Sequence, residues 1–246
     1  MADDMLAANL CLRDAWPATE HEDLGGWRFR AIGGGFNRTN SVWPGLFSGE
    51  VTVDRAIDSA EAFYRKRNLR PRFQALRESM PPGLDALLER RGYARDTECL
   101  VLAKPVGAAT MPSAVLFGHL PTPAWLEMYV HSQPPQKSAE FRYVLVRLPA
   151  SRAFFLLREK EEPRALAVAV RRGSDVAVDC LWTDPAHRRT GAATAIMQAA
   201  EAWAAGQDAR RLVLAFTETN AAARALFARI GYAPLSDYHY RTLIRG

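Results

Sequence analysis

The sequence predicts an α/β fold: two tandem mixed, mostly antiparallel sheets flanked by helices. Three observations point there. Strand-like and helix-like apolar patterns alternate along the second half, the first half repeats the later part of that order, and the composition is that of a soluble globular chain. The 246 residues are 48% apolar and 24% charged, an ordinary balance for such a chain. The length suits one large domain or two of about 100–150 residues.

In the second half, Phe154 to Glu159, Ala165 to Val170 and Val176 to Trp182 are apolar or alternating runs separated by turn residues. They read as antiparallel strands. Gly191 to Ala205 is rich in alanine, with Ile196, Ala199, Ala200 and Trp203 at helical spacing. Leu212 to Phe216 reads as a short buried strand. Asn220 is a plausible N-cap for a helix over Ala221 to Ile230, closed by Gly231. A last strand is expected over Tyr238 to Ile244.

A shift of 139 residues lays the first half on the second without a gap. Trp43 falls on Trp182, Ala56-Ile57 on Ala195-Ile196, Arg72 on Arg211, and Gly92-Tyr93-Ala94 on Gly231-Tyr232-Ala233. Patterns agree as well as letters, which is the mark of an internal repeat. The first half therefore predicts a strand over 40–43, a helix over 54–67, a strand over 73–76, a helix over 84–91 and a strand over 99–103. Residues 104–123 are rich in Pro, Gly and Ala and read as a linker, although Ala114 to Leu120 is apolar enough for a strand. Helices are expected over 123–130 and 139–146. The domain boundaries that follow are 1–108 and 109–246.

Several function classes are weakly supported. No apolar run reaches the roughly 18 residues of a membrane helix. The acidic start at Asp3 and Asp4 is not a secretory signal. Cys11, Cys99 and Cys180 have neither metal-ligand spacing nor a disulfide framework, which suits a cytoplasmic chain without a metal. The net charge of +5 comes from dispersed basic residues, so nucleic acid is an unlikely partner. Gly33-Gly34-Gly35 has no helix start after it and reads as a flexible loop.

Chemistry concentrates between Leu181 and Ala193. The segment leaves a strand, turns at Pro185 and opens a helix. A helix N-terminus offers unpaired N–H groups and a positive dipole end, both suited to phosphate. Gly191 and Ala193 let a diphosphate approach the backbone, and Arg188 and Arg189 add charge. A basic turn before an amphipathic helix is the plainer reading of the same residues.

This segment resembles motif A of the GNAT superfamily, Arg/Gln-x-x-Gly-x-Gly/Ala after a strand and a proline turn. Arg188, Gly191 and Ala193 match it. Asn220 to Tyr232 is similar to a second GNAT signature, Asn-x-x-Ala-x-x-Leu-Tyr-x-x-x-Gly-Phe. The likeness is strong from about 152 to 244 and weak in the first half. It implies an N-acyltransferase that moves an acyl group, expected to be acetyl, from acetyl-CoA to an amine. By position, Leu181 and Thr183 would pair with the pantetheine arm. Arg188, Arg189, Thr190, Gly191, Ala192 and Ala193 would hold the diphosphate, with Asn220, Arg224 and Phe227 beside the cofactor. The first half lacks this loop. At the same shift Gly49, Thr52, Asp54 and Pro81 replace Arg188, Gly191, Ala193 and Asn220, so that half reads as a degenerate copy.

One departure matters for catalysis. The family's tyrosine in the second signature, which protonates the departing thiolate, is Phe227 here. Candidate acid–base groups are Asp179, Glu218 and Tyr238, with His239 and Tyr240 on the same last strand. Strand alternation puts Asp179 on one face with Leu181 and Thr183, and Cys180 on the other as a core residue. Trp125, Tyr129 and His131 lie where this family builds an acceptor lid; plain packing is the alternative. An acyl-CoA sensor or scaffold without turnover remains the competing reading, and the acceptor is not encoded in these motifs.

Overall fold

The computed structural model of the chain describes residues 2–32, 36–76 and 81–244. Helix α1 (Ala2–Ala15) has Asp3 and Asp4 in its first turn and Arg13 in its last, which complements the helix dipole. Its buried Ala8, Cys11, Leu12 and Ala15 recur at helical spacing and form one face. Strands β1 (Glu20–Leu24) and β2 (Trp27–Ala31) make an antiparallel ribbon. Helix α2 (Val53–Arg65) starts at Thr52, whose hydroxyl accepts the Arg55 N–H at 3.2 Å. Then come β3 (Arg72–Leu76), α3 (Leu84–Arg90) and β4 (Tyr93–Pro105).

The second half opens with β5 (Val115–Gly118), α4 (Pro123–Ser132) and α5 (Pro135–Leu145). A meander follows: β6 (Arg152–Glu159), β7 (Glu162–Arg172) and β8 (Asp175–Thr183). The chain closes with α6 (Ala192–Ala205), β9 (Arg211–Thr217), α7 (Ala221–Arg229) and β10 (Ala233–Leu243). Helices α2, α3, α6 and α7 form within about two residues of the ranges expected from sequence. Helix α1, the ribbon β1–β2 and the early start of β10 were not expected. The Gly33-Gly34-Gly35 loop lies outside the described residues.

The two separate sheets expected from the repeat are replaced by one. Its eight strands run β3-β10-β4-β9-β8-β7-β6-β5. Every neighbouring pair is antiparallel except β8 with β9. The physical reason is strand β4. It is 13 residues long and fills the gap between β9 and β10. Without it both strands would carry unpaired backbone groups along an edge. Residue 108 thus falls between two strands of the same sheet.

One face of the sheet carries α1, α4 and α5 over a core that includes Leu12, Trp125, Phe141, Phe154, Val168 and Tyr238. The other carries α6 and α7 over Phe155, Val178, Ile196, Leu214 and Phe227. A third cluster joins Trp27, Phe29, Tyr64, Phe73 and Tyr93 under α2 and α3. Each large side chain buried this way contributes about 1.5–3 kcal/mol against the entropy of ordering the chain. Asp175, almost wholly buried, is held by Arg210 at 3.0 Å and Arg211 at 2.8 Å. Arg211 also donates to the Asp4 carbonyl at 2.6 Å. A buried carboxylate is tolerable only with such partners, and this set ties α1 to the starts of β8 and β9.

Candidate active site

Strands β8 and β9 begin together and then part. Their parallel register covers only Asp175↔Arg211, Val176↔Leu212 and Ala177↔Val213. Beyond it β8 runs on to Thr183 and β9 to Thr217 without pairing to each other. The backbone of β8 from Val178 to Thr183 is therefore open on its β9 side, and Leu181 and Thr183 lie in this open stretch.

A bulge lies in the stretch of β8 that has left β9. Val168 faces Asp179 and Leu166 faces Trp182, so Ala167 of β7 stands opposite both Cys180 and Leu181. Cys180 has φ +59°, a left-handed conformation that costs a non-glycine residue about 1–3 kcal/mol. The extra residue bends the strand, as bulges do. The Trp125 indole donates to the Ala167 carbonyl at 3.2 Å, and the Tyr129 side chain lies beside Cys180. Both aromatic side chains are buried, stacked with centroids 5.4 Å apart, while His131 is exposed.

The bulge also overturns the expected facing of Asp179. Instead of sharing a face with Leu181 and Thr183, Asp179 turns to the α1 side. There Arg38 grips both carboxylate oxygens, at 2.8 and 3.0 Å, with its guanidinium 5.7 Å from the Trp16 ring centre. Cys180 packs on that same side and Leu181 on the other. Strict alternation fails here because one residue is inserted.

The turn after β8 is built by local bonds. Asp184 accepts the Ala186 N–H at 2.8 Å and begins a 3-10 turn over Pro185–His187. The Thr190 hydroxyl donates to the His187 carbonyl at 2.7 Å, and Arg188 Nε donates to the Thr183 carbonyl at 3.4 Å. Gly191 sits at φ +91° and caps α6 without a side chain. A Cβ there would meet nothing within 4 Å, so the glycine answers to backbone angle and open approach. Ala192 is buried and Ala193 half-buried. The first turn of α6 holds no acidic residue, and Arg188 and Arg189 are exposed beside it. Unpaired N–H groups, two guanidiniums and no carboxylate make an anion cradle.

The second signature forms the capped helix its sequence predicts. Asn220 caps α7, its side-chain oxygen accepting the Ala223 N–H at 3.0 Å. Arg224 donates to Glu218, to the carbonyl at 3.2 Å and the carboxylate at 3.4 Å, so neither is a free charge. Phe227 is buried between Phe216 and Tyr232, with ring centres 5.5 and 5.4 Å away. Tyr238 is buried on β10 in contact with Cys99. Strands β4 and β9 stand between it and the opening, a span of about 10 Å at 4.7–4.9 Å per strand. Burial raises the Tyr129, Tyr238 and Cys180 side chains above their ordinary pKa values, so all three stay neutral near pH 7.

Sequence reasoning missed Arg38. It lies outside any helix or strand, 141 residues from Asp179, and no local pattern marks it. It also missed a cavity of about 630 Å³ between α6 and the segment after β4, lined from Thr194 in the first turn of α6 to Glu201 in the third and by Lys104, Met111 and Tyr232. Lys104 Nζ meets Glu201 Oε2 at 2.6 Å on its floor. The buried Tyr232 hydroxyl in its wall has no hydrogen-bond partner. Among the described residues no cluster of His, Cys, Asp and Glu could hold a metal, and no helix is long and apolar enough to cross a membrane.

Comparison with known proteins agrees with this geometry. The family described as probable histone acetyltransferase Rv0428c C-terminal matches residues 7–242. The uncharacterized N-acetyltransferase YobR of Bacillus subtilis (strain 168) is 26% identical over 247 aligned positions, spanning 97% of this chain and 98% of that protein. A GCN5-related N-acetyltransferase from Kribbella flavida superposes with a TM-score of 0.72 at 18% identity, over 100% of this chain and 96% of its own. A tandem GNAT protein from the clavulanic acid biosynthesis pathway gives 0.62 at 13% identity, over 80% and 71%. At these identities the solved structures speak to the fold alone. The match over nearly the whole chain places it in the probable histone acetyltransferase Rv0428c C-terminal family, and the chain is a GNAT-type N-acetyltransferase, of a class that uses acetyl-CoA as cosubstrate.

Proposed function

We propose that the chain transfers an acetyl group from acetyl-CoA to an amine at the opening between β8 and β9. The pantetheine arm would pair with the free edge of β8 at Leu181 and Thr183. The diphosphate would rest on the first turn of α6, held by residues 188–193. The nucleotide end would lie beyond the cradle, toward Asn220 and Arg224 at the start of α7. The observation that carries this reading is the parting of β8 from β9 next to a helix that starts on Gly191. The residues fit an anion, since the cradle has donors and no carboxylate.

The amine attacks the thioester carbonyl, a C–N bond forms, the C–S bond breaks and the electron pair leaves on sulfur. The attacking nitrogen then gives up its proton to water in the open cleft. Backbone N–H groups on the open strand edge would polarise the carbonyl, and alignment supplies much of the rate. Asp179 and Glu218, both engaged by arginines, are poor bases as they stand. Tyr129 has the hydroxyl at the bulge and is our choice for the proton donor to sulfur, with Tyr238 demoted by distance.

The first half we read as a degenerate copy that has exchanged its last strand with the second. At the shift of 139, α2, β3, α3 and β4 fall on α6, β9, α7 and β10. The order β3-β10-β4-β9 sets each half's last strand beside the other's preceding one. In the copy the glycine is Thr52, and Asp54 opens the helix in an ion pair with Arg91 at 2.6 Å. A carboxylate there repels a diphosphate.

Calorimetry with acetyl-CoA tests both parts. We expect one site per chain. Gly191→Glu sets an anion in the cradle and strains a left-handed backbone, and should abolish binding. Thr52→Glu should leave affinity unchanged while costing about 0.5–2 kcal/mol of stability through the lost cap. Two equivalent sites in the wild type, or full binding by Gly191→Glu, would overturn the assignment.

A further inference from the structure

We infer that Arg38 is a positioning residue for the acyl-CoA opening: from the first half of the chain, it holds the bulge in the stretch of β8 that has left β9, acting through Asp179. This rests on the reading of the opening proposed above.

The bulge is a strained feature, with Cys180 in a left-handed conformation, and such a feature persists only where its surroundings fix it. Three ties do so. The Trp125 indole takes the Ala167 carbonyl that faces two residues instead of one. The buried Tyr129 ring packs in the same core cluster as Cys180. Arg38 takes Asp179, the last residue of β8 in regular register with β7 before the insertion. The first two come from α4, packed in the core of the second half. The third is the only one of these three supplied by the first half.

Its chemistry suits positioning better than neutralisation. A guanidinium offers two parallel N–H groups to two carboxylate oxygens, which fixes orientation as well as distance. Both Asp179 oxygens are engaged, and both side chains are largely shielded, at 21% and 18% exposure. Arg38 is itself steadied by the Trp16 ring, which stacks on Phe141 of α5 at 5.5 Å. The brace therefore spans the first-half segment, the helix layer and β8. It explains why the half without a recognisable diphosphate loop bears on the one that has it.

The test uses the full chain and four variants: Arg38→Lys, Arg38→Met, Asp179→Asn and the apolar pair Arg38→Met/Asp179→Leu. Lysine keeps the charge and loses the fork. The apolar pair removes the buried charges together, so its Tm should recover relative to Arg38→Met. Two readouts are taken beside Tm: the Kd of acetyl-CoA, and hydrogen exchange of the amides from Asp179 to Thr183. Displacing a binding surface by about 1 Å costs up to about a hundredfold. We expect every variant, the apolar pair included, to weaken acetyl-CoA by about tenfold or more and to speed exchange at the bulge. If Arg38→Lys and the apolar pair bind acetyl-CoA as the wild type does, with unchanged exchange, the brace is refuted. If exchange rises while Gly191→Glu still binds acetyl-CoA fully, the brace stands and the acyl-CoA reading fails.

Discussion

Tyr129 and Tyr238 are both phenols kept neutral by burial, and their distance from the opening separates them. A positioned proton donor contributes about 10²–10⁴-fold in rate. Tyr129 touches Cys180 at the bulge, whereas Tyr238 lies behind β9 and β4. Single-turnover measurements should therefore show Tyr129→Phe slowing the chemical step by about tenfold or more, with Tyr238→Phe within about twofold of wild type. The reverse order would restore the acid role to the last strand. If neither changes the step, the thiolate leaves unprotonated, which a thiol pKa of about 8.5 permits near neutral pH. Phe227 cannot donate a proton and packs in a ring cluster with Phe216 and Tyr232.

Among the elements, α3 shows how a helix of 7 residues is anchored. Asp85 in its first turn accepts from Arg241 at 2.7 and 2.8 Å and contacts His239 at 2.8 Å, both on β10. The hydrogen bonds from Arg241, aided by His239, bring the Asp85 carboxyl down to about 2 against the opposing effect of burial. A depressed carboxyl stabilises the fold above its unfolded value near pH 4, and that contribution is lost as pH falls from about 4 to 2. With the side chain 33% exposed, solvent screening reduces it to the order of 1 kcal/mol. Asp85→Asn should lower Tm at pH 7 and flatten the decline of Tm between pH 4 and 2. An unaltered acid limb would show that the α3–β10 anchor contributes nothing. This level is also where the sequence was most legible. Helices with regular apolar spacing and clear caps, α2, α6 and α7, were read nearly to their ends. Strand β5, only 4 residues long, falls inside the apolar run Ala114 to Leu120 that interrupts a stretch rich in Pro and Gly. The charged Glu20–Leu24 strand shows no alternation to detect. The turn before α6 was readable because its residues are contiguous, while the Arg38–Asp179 pair and the facing of Asp179 depend on a distant contact and an inserted residue.

At the scale of the whole molecule, strand order decides what can be separated. Periodicity announces a strand but not its neighbour, and β4 pairs with second-half strands on both sides, β9 through Cys99–Pro105 and β10 through Tyr93–Ala103. Helix α1 covers the start of the β8–β9 pair, where Asp4 and Asp175 share Arg210 and Arg211. A fragment of residues 110–246 would keep the diphosphate cradle intact and lose all three supports: β4, α1 and Arg38. Strand β9 would then present an open edge beside the opening, and the apolar face under α1, including Val168, Ala177 and Val213, would meet water. Open edges and large apolar faces drive association. We therefore expect the fragment to aggregate, or to remain soluble only with its acetyl-CoA affinity lost. Light scattering and calorimetry on the fragment, beside the full chain, make the comparison. A monomeric fragment with wild-type affinity would mean that the second half closes its own sheet, pairing β9 directly with β10. The first half would then be a cover rather than a part of the site, and the effect of Arg38 on acetyl-CoA binding should vanish with it.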